Sequence, residues 1–594
     1  MESMNEIIQV ALFFGLLIAL TPLLGGYMSR VFQGGRTFLH PLLGPIERLV
    51  YKLTGVAPDE EMSWKGYFLA VLLFNVFGML SIWVLQMTQF WLPLNPQKLP
   101  NVPWDLALNT AISFITNTNW QAYAGETTMS YLTQMTGLAV HNFLSAATGI
   151  AILLAVARGL KRASAKTLGS FWVDLTRSSL YVLLPLSIVV AVILVSQGVV
   201  QTFNAYPAAK LIEPYTAQVQ KTDEKGNPVK GADGKPVMQD VTVDSQPIPV
   251  GPAASQIAIK QLGTNGGGFY GQNSAHPFEN PTPLSNFIEL FTLIIVASSL
   301  VYAFGLMVGN IGHARVLFGV MLVLLVGTFA LAWWAECQPN PVLHNILPNM
   351  EGKEQRFGVM NGVLFAVATT GTSCGAVNCM HDSLTPLAGL AVLWNLMLGC
   401  IVFGGVGAGL YGILMHVLLT VFIAGLLVGR TPEYLGKKIQ AWEAGWSVVG
   451  IMIPNFLILF GSALAVLTAT GLSSMNNAGP HGLSEVFYAY ASCANNNGSA
   501  FAGLNGNTLF YNLTLGATMF IGRFGVAFAV LAIAGNLAAK KSVPASGGTL
   551  PVGGLTFACA LLGVIVIVAA LTFFPALCLG PIVEHGLMQV GRIF

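Results

Sequence analysis

Apolar runs long enough to cross a membrane dominate this chain, with short polar connections between them. A helix needs roughly 20 mostly apolar residues to cross the hydrocarbon core. Runs of that length predict ten spans, at about 6–28, 66–90, 133–157, 178–200, 286–310, 315–335, 385–428, 445–470, 508–537 and 553–576. The seventh is too long for one straight helix, and Gly404, Gly405, Gly407, Gly409 and Gly412 soften its middle. The first run follows acidic rather than basic residues and lacks a small-residue cleavage site, so it is expected to be a retained helix, not a signal peptide. An even number of spans puts both termini on one side.

Four connections on the side of the termini carry a second pattern. Each opens on a semi-apolar stretch too short to span: LALNTAISFI (106–115), SQIAIKQL (255–262), RFGVMNGVLFAVAT (356–369) and GLSEVFYAYA (482–491). Each stretch runs into small polar residues, within FITNTNWQAY (114–123), LGTNGGGFYG (262–271), TTGTSCGAVN (369–378) and YASCANNNGS (490–499). The stretches read as re-entrant half-helices and the polar clusters as turns. Span, half-helix, polar turn and span thus form a unit that occurs four times. The pattern predicts an all-α integral membrane protein with about ten transmembrane helices and four such repeats around a pseudo-fourfold pore. The repeats are expected over 66–162, 163–314, 315–440 and 441–541, flanked by an N-terminal segment over 1–65 and a C-terminal one over 542–594.

Composition agrees: 54% of the 594 residues are hydrophobic and 9% charged, where soluble domains carry about 25% charged residues. A formal net charge of +2 and the lack of any basic stripe give no reason to expect nucleic acid. Seven cysteines without CxxC spacing indicate neither a disulfide scaffold nor a zinc site. Of the 27 lysines and arginines, sixteen fall in connections opposite the termini, ten on the terminal side, and Arg523 alone within a span. Five of the ten (Lys210, Lys221, Lys225, Lys230 and Lys235) belong to one hydrophilic insert, 201–252, and long inserts translocate largely regardless of charge. The sixteen-residue side is therefore expected to be cytoplasmic, with both termini outside. Within the insert, KTDEKGNPVKGADGKPVMQD (221–240) reads as a solvated hairpin or flexible external loop.

Irregular backbone at membrane depth is tolerated only where protein shields it or where it lines a water-filled path. Four turns converging on one axis would make a ring of oxygens able to replace an ion's hydration shell. The candidate ring residues are Thr116, Asn117, Thr118 and Asn119; Thr264, Asn265, Gly266 and Gly267; Thr372, Ser373, Cys374 and Gly375; and Asn495, Asn496, Asn497 and Gly498. Glycine and asparagine reach left-handed backbone most easily, which lets carbonyls turn inward. None of the turns holds a carboxylate, so a monovalent cation is expected rather than calcium or magnesium. Gln121, just past the first turn, is expected to stand behind the ion's ligands. Glycine-rich segments also serve as plain helix-packing surfaces, but four matched positions weigh against that. Cys374 and Cys493 read as small ring or core residues, and His141 and His416 as packed, hydrogen-bonded side chains.

TNGGGFY (264–270) followed by NSAHPFENPTPLSN (Asn273 to Asn286), with TTGTSCGAV, CANNNGSAFAG and GRTPEYLGKK (Gly429 to Lys438), closely resembles the potassium-binding A subunit of Kdp-type ATPases. The resemblance covers nearly the whole chain. It implies high-affinity potassium uptake in which this subunit selects the ion and a separate P-type ATPase subunit hydrolyses ATP. It further implies two smaller membrane subunits as partners, contact with membrane lipids, and a bacterial or archaeal plasma membrane. Potassium would be the transported substrate, with no other cofactor. Independently, the chain has neither a GxxxxGK[ST] loop nor a DKTGT phosphorylation motif, and is expected not to be an enzyme on its own. A self-sufficient potassium channel or secondary transporter is the alternative that pore loops alone would suit; a solute transporter on inverted repeats would instead show paired broken helices.

Two further features bear on the ion route. Spacing alone leaves the seventh span open between a close-packed glycine face and a broken helix, and the resemblance favours a break acting as a gate beneath the ring. Arg523 lies about 22 Å along the ninth span, at 1.5 Å per residue, where a charge must face the bundle interior or water. It is either a structural arginine bonded to a neighbouring helix's carbonyls or a fixed positive charge that blocks the axis and sends the ion sideways.

Overall fold

The computed structural model describes residues 2–220, 237–429, 431–544 and 549–592. Ten helices among them are long and apolar enough to cross a membrane: Met4–Phe32, Trp64–Trp91, Thr133–Lys161, Phe171–Ser196, Pro283–Val308, Ile311–Leu343, Ala408–Leu427, Ala441–Val466, Leu509–Ala539 and Leu555–Gln589, numbered here as spans 1 to 10. The four half-helices are present, as Trp104–Ile115, Ala253–Leu262, Gly358–Gly371 and Gly479–Ala494; three are somewhat longer than their sequence signals, and the third has the same length, shifted by two residues. Local chemistry fixes several starts. Thr282 and Ser285 cap span 5 reciprocally, and the Thr508 hydroxyl accepts from Tyr511 N–H at the start of span 9.

Burial separates inner from outer helices. The second span of each unit (spans 3, 5, 7 and 9) has 83%, 72%, 56% and 67% of its most apolar window buried, against 22%, 39%, 44% and 44% for the first spans 2, 4, 6 and 8. Spans 1 and 10, at 17% and 28%, lie at the periphery. Four inner helices, each fed by a half-helix and backed by an outer one, therefore surround a common centre. Apolar side chains on the outer faces, such as Phe77 and Leu571, are exposed in the chain itself, as lipid-facing positions require.

The seventh apolar run is broken. A short helix, Pro386–Met397, stops, and span 7 starts only at Ala408. Between them Gly399, Cys400, Phe403, Gly405 and Gly407 all have positive φ. A single long helix with a glycine face is thereby excluded.

Other elements lie outside the repeat. His40–Thr54 is a helix in the first connection opposite the termini, with Leu42, Leu49 and Leu53 exposed on one side and Glu47 and Tyr51 buried on the other. The insert forms an antiparallel ribbon of β1 (Ala208–Gln220) and β2 (Met238–Pro247), solvated along most of its length. Lys221, Lys225, Lys230 and Lys235, and Arg430, lie outside the described residues. Two lysines counted among the outer connections, Lys260 and Lys353, are instead fully buried and paired with Glu279 and Glu336.

Candidate functional site

Each half-helix is capped by one residue (Thr116, Gly263, Thr372 and Asn495), and the next residue is left-handed: φ is 64° at Asn117, 50° at Thr264, 58° at Ser373 and 52° at Asn496. This common step fixes the register of the four turns. It shifts the second by one residue from the sequence expectation, so that Gly263–Gly266 corresponds to Thr116–Asn119, Thr372–Gly375 and Asn495–Gly498. Gly267 stands one place beyond, where a Cβ would meet Asn119 Cβ at 2.7 Å and Phe114 at 2.9 Å. Positive φ is unusual for a β-branched residue. Thr264 is held in it by its hydroxyl, which donates to Gly263 O at 2.7 Å and accepts Val406 N–H at 3.0 Å.

The turns touch in sequence around a closed ring. Asn117 Nδ2 donates to Gly263 O and Thr264 O at 3.3 and 3.2 Å, and Asn265 Nδ2 returns a bond to Asn117 Oδ1 at 2.7 Å. Gly375 N–H donates to Asn265 O at 3.1 Å. Ser373 Oγ donates to Asn496 O at 2.7 Å, and Asn496 Nδ2 closes the circuit on Thr118 Oγ1 at 2.9 Å. Backbone approach is just as close: a Cβ on Gly266 would overlap Gly375, one on Gly375 would sit 2.9 Å from Gly498 C, and one on Gly498 would overlap the Thr118 carbonyl oxygen. Glycine at these places is a steric requirement of the ring.

Each turn is also anchored from behind. Asn497 Nδ2 donates to Thr369 O at 3.0 Å, and Thr369 Oγ1 lies 2.5 and 2.6 Å from the carbonyls of Cys374 and Ala376. Cys374 is wholly buried, with its thiol 3.6 Å from Gln261 Oε1. Gln121 clamps the backbone of the neighbouring turn: Nε2 donates to Gly268 O at 3.0 Å, and Oε1 accepts Gly268 N–H at 3.1 Å. Sequence reasoning put Gln121 near its own turn and missed this partner; it also missed Ser145, which bonds Asn117 Oδ1 at 2.9 Å from span 3.

The broken segment of the seventh run lies against the ring. Gly405 N–H donates to Thr372 O at 2.6 Å, Val406 N–H reaches Thr264 Oγ1, and Asn495 Nδ2 donates back to Leu396 O at 2.9 Å, so three turns are tied to it. Side chains on Gly404, Gly407 and Gly409 would overlap backbone of Cys400, Gly149 and Gly404 respectively. Gly412, one turn into span 7, lines the adjoining cavity.

Arg523 is buried in span 9, and its Nη2 lies 3.4 Å from Ser145 O of span 3. The same guanidinium would lie 3.0 Å from a Cβ on Gly149, next to Val406 O at 2.5 Å. Ring, break and arginine thus meet at span 3. A cavity of about 70 Å³ beneath the third and fourth turns is lined by Ser373, Asn495, Asn496, Gly409, His416 and Arg523, and extends to Ile565 and Ala569 of span 10. His141 and His416 each bond the carbonyl four residues earlier, Gly137 and Gly412, as packed helical histidines do.

One further titratable group lies at the outer end of the fourth half-helix. Asp382, His481 and Glu485 offer ligand atoms within 4.8 Å of one another. Both His481 nitrogens are already engaged, by Asp382 at 2.9 Å and Glu584 at 2.7 Å, and Glu485 accepts the N–H groups of Asn476 and Asn477. Burial alone would lower the His481 pKa, but the two carboxylates outweigh it and raise it to about 10. The cluster is an ion-paired latch holding the C-terminal helix against the half-helix.

Ten spans and four half-helix turns closing a ring of backbone and amide groups define a membrane protein of the pore-loop class. The family model described as the potassium-transporting ATPase A subunit (KdpA) matches residues 11–586, and the chain belongs to that family. The potassium-transporting ATPase potassium-binding subunit of Geotalea uraniireducens is 55% identical over 98% of this chain and 99% of its own length. Those of Geobacter sulfurreducens and Methylococcus capsulatus are 54% and 52% identical over similar shares. The crystal structure of the potassium transporter TrkH from Vibrio parahaemolyticus is similar over 88% of this chain and 96% of its own, at 15% identity and a TM-score of 0.49.

Proposed function

We propose that this chain is the ion-selecting transmembrane subunit of an ATP-driven, high-affinity potassium uptake pump. The observation that carries the reading is the closed ring of four turns in a chain of this family. The turns hold a dehydrated potassium ion by backbone and amide oxygens at the end of four half-helices, whose partial negative C-terminal charge favours a cation. The ion enters from the side of the termini, which faces outside the plasma membrane, as the lysine and arginine distribution indicates. The break beneath the ring gates its exit, and Arg523 repels it from the straight axial path. It leaves sideways through the cavity under the third and fourth turns, toward a separate P-type ATPase subunit that hydrolyses ATP; two small membrane subunits and the surrounding lipid complete the assembly.

Rubidium uptake by potassium-starved cells tests this reading. Expressed alone, the chain should give no concentrative uptake; with a P-type ATPase subunit and the small subunits it should give uptake that stops when ATP is withdrawn. Concentrative uptake by the chain alone would make it a self-sufficient transporter and overturn the proposal.

A further inference from the structure

The second turn is backed by a group of buried charges that the ring itself does not use. Lys260 is the third residue from the end of the second half-helix, and its side chain is fully buried. Its ammonium is paired with Glu279, also fully buried, from the loop between the turn and span 5, and lies 3.4 Å from Asn273 Oδ1. Next in sequence, Gln261 Nε2 donates to Glu289 Oε2 at 2.8 Å, and Ser274 Oγ donates to the same oxygen at 2.5 Å. Oε2 of Glu279 and Oε1 of Glu289 are buried without a hydrogen-bond partner. Burying an ammonium and two carboxylates is expensive, so the arrangement is poor evidence of a role in stability alone.

Its position shows what it acts on. A Cβ on Gly268 would meet Lys260 Nζ at 2.8 Å, Asn273 Oδ1 at 3.0 Å and Glu279 Oε2 at 3.0 Å, so the ion pair packs directly on the backbone by which the chain leaves the second turn. Gln121 grips both polar backbone groups of the same residue. The Lys260 carbonyl accepts the N–H groups of Asn265 and Gly266 at 2.8 and 3.2 Å. Through Gln261 the network also reaches the Cys374 thiol of the third turn.

We propose that Lys260 and Glu279 are positioning residues for ion selection, which clamp Gly268 against Gln121 and so fix the carbonyl geometry of the second turn. This rests on the reading of the four turns as the ion-selecting ring. A pair that only kept the protein folded would change the amount of assembled pump. A pair that positions the turn changes which ion is taken and at what concentration.

The test uses the assembled complex carrying Lys260→Met, Glu279→Gln or both, with Gly375→Ala as a ring control. Half-saturating potassium, the ratio of rubidium to potassium uptake and the maximal rate are measured per assembled complex. The double variant removes both charges at nearly constant volume, which avoids leaving one buried charge alone and carries the test if a single variant fails to assemble. The expected result is a tenfold or greater rise in half-saturating potassium and an altered ion ratio, with the maximal rate within twofold of wild type, and partial recovery in Glu279→Asp. If the double variant keeps wild-type half-saturation and ratio, or loses only assembly or maximal rate, while Gly375→Ala shifts the ratio, the clamp proposal is overturned and the ring reading stands. No shift in Gly375→Ala either would sink the ring reading itself.

Discussion

Single atoms decide whether the four turns fit together. Gly375 has no room for a side chain, because a Cβ there lies 2.9 Å from Gly498 C. Gly375→Val should therefore push the third and fourth turns apart and weaken discrimination of potassium from ammonium or sodium by about tenfold or more, roughly 1.4 kcal/mol per factor of ten. Gln121→Arg should weaken apparent potassium affinity for two reasons: it loses both bonds to Gly268 and sets a positive charge near the path of a cation. Rubidium uptake with unchanged affinity and selectivity in both variants would refute this account of the ring. His481 makes a prediction of a different kind. Its pKa is raised from about 6.5 in an unfolded chain to about 10 by Asp382 and Glu584. The stabilisation is thus complete below pH ~6.5 and is lost as pH rises through about 10. Thermal unfolding should show wild type more stable than His481→Gln at neutral pH, with the gap closing by about pH 10; a gap that does not change with pH would contradict the latch.

Among the elements, the broken seventh run makes the sharpest prediction. Its backbone bonds three turns from below, so stiffening it should change transport more than binding. A Cβ on Gly405, at φ 24°, would lie 3.2 Å from Ala408 Cβ and 3.5 Å from Ser373 Cβ, a tight approach to side chains but not to backbone, so Gly405→Ala strains and stiffens the break. Turnover should fall several-fold while equilibrium potassium binding stays near wild type; equal loss of both would argue against a gate. Length and glycines leave the run open between a break and a glycine face, which the resemblance decides; the break covers 398–407 and holds Gly404, Gly405 and Gly407, while Gly409 and Gly412 lie in span 7. Spans and half-helices were legible because apolar length is a local property. The register of the second turn was not, because Thr264 takes the left-handed place against its own propensity, and only Val406, 142 residues away, shows why. The burial of Lys260 was not legible for the same reason. A lysine near an outer loop looks solvated until Glu279 folds back onto it, although its place in an apolar half-helix was a signal. The amphipathic helix His40–Thr54 was not legible, because its apolar positions are spread along one face and form no run long enough to span.

For the whole molecule, the role proposed for the ring raises the question of what keeps it from acting as a leak. Arg523 stands where span 9 meets span 3 and the break, with its guanidinium on the Ser145 carbonyl. Arg523→Ala or Arg523→Met should give ATP-independent potassium leak, or ATP hydrolysis that no longer tracks uptake, when measured in proteoliposomes. Normal assembly with wild-type coupling and no leak would leave it a packing residue. The connectivity carries a last consequence. Four identical subunits around an axis must present four identical sides, and can open only along that axis or in all directions equally. Here one chain supplies all four turns, and corresponding places are held by Thr118, Asn265, Cys374 and Asn497. The cavity beneath them is lined by the third and fourth turns and by neither of the others. Fusing the four units into one polypeptide frees the molecule from rotational symmetry, so a ring built from four like turns can stand over a cavity bounded by only two of them.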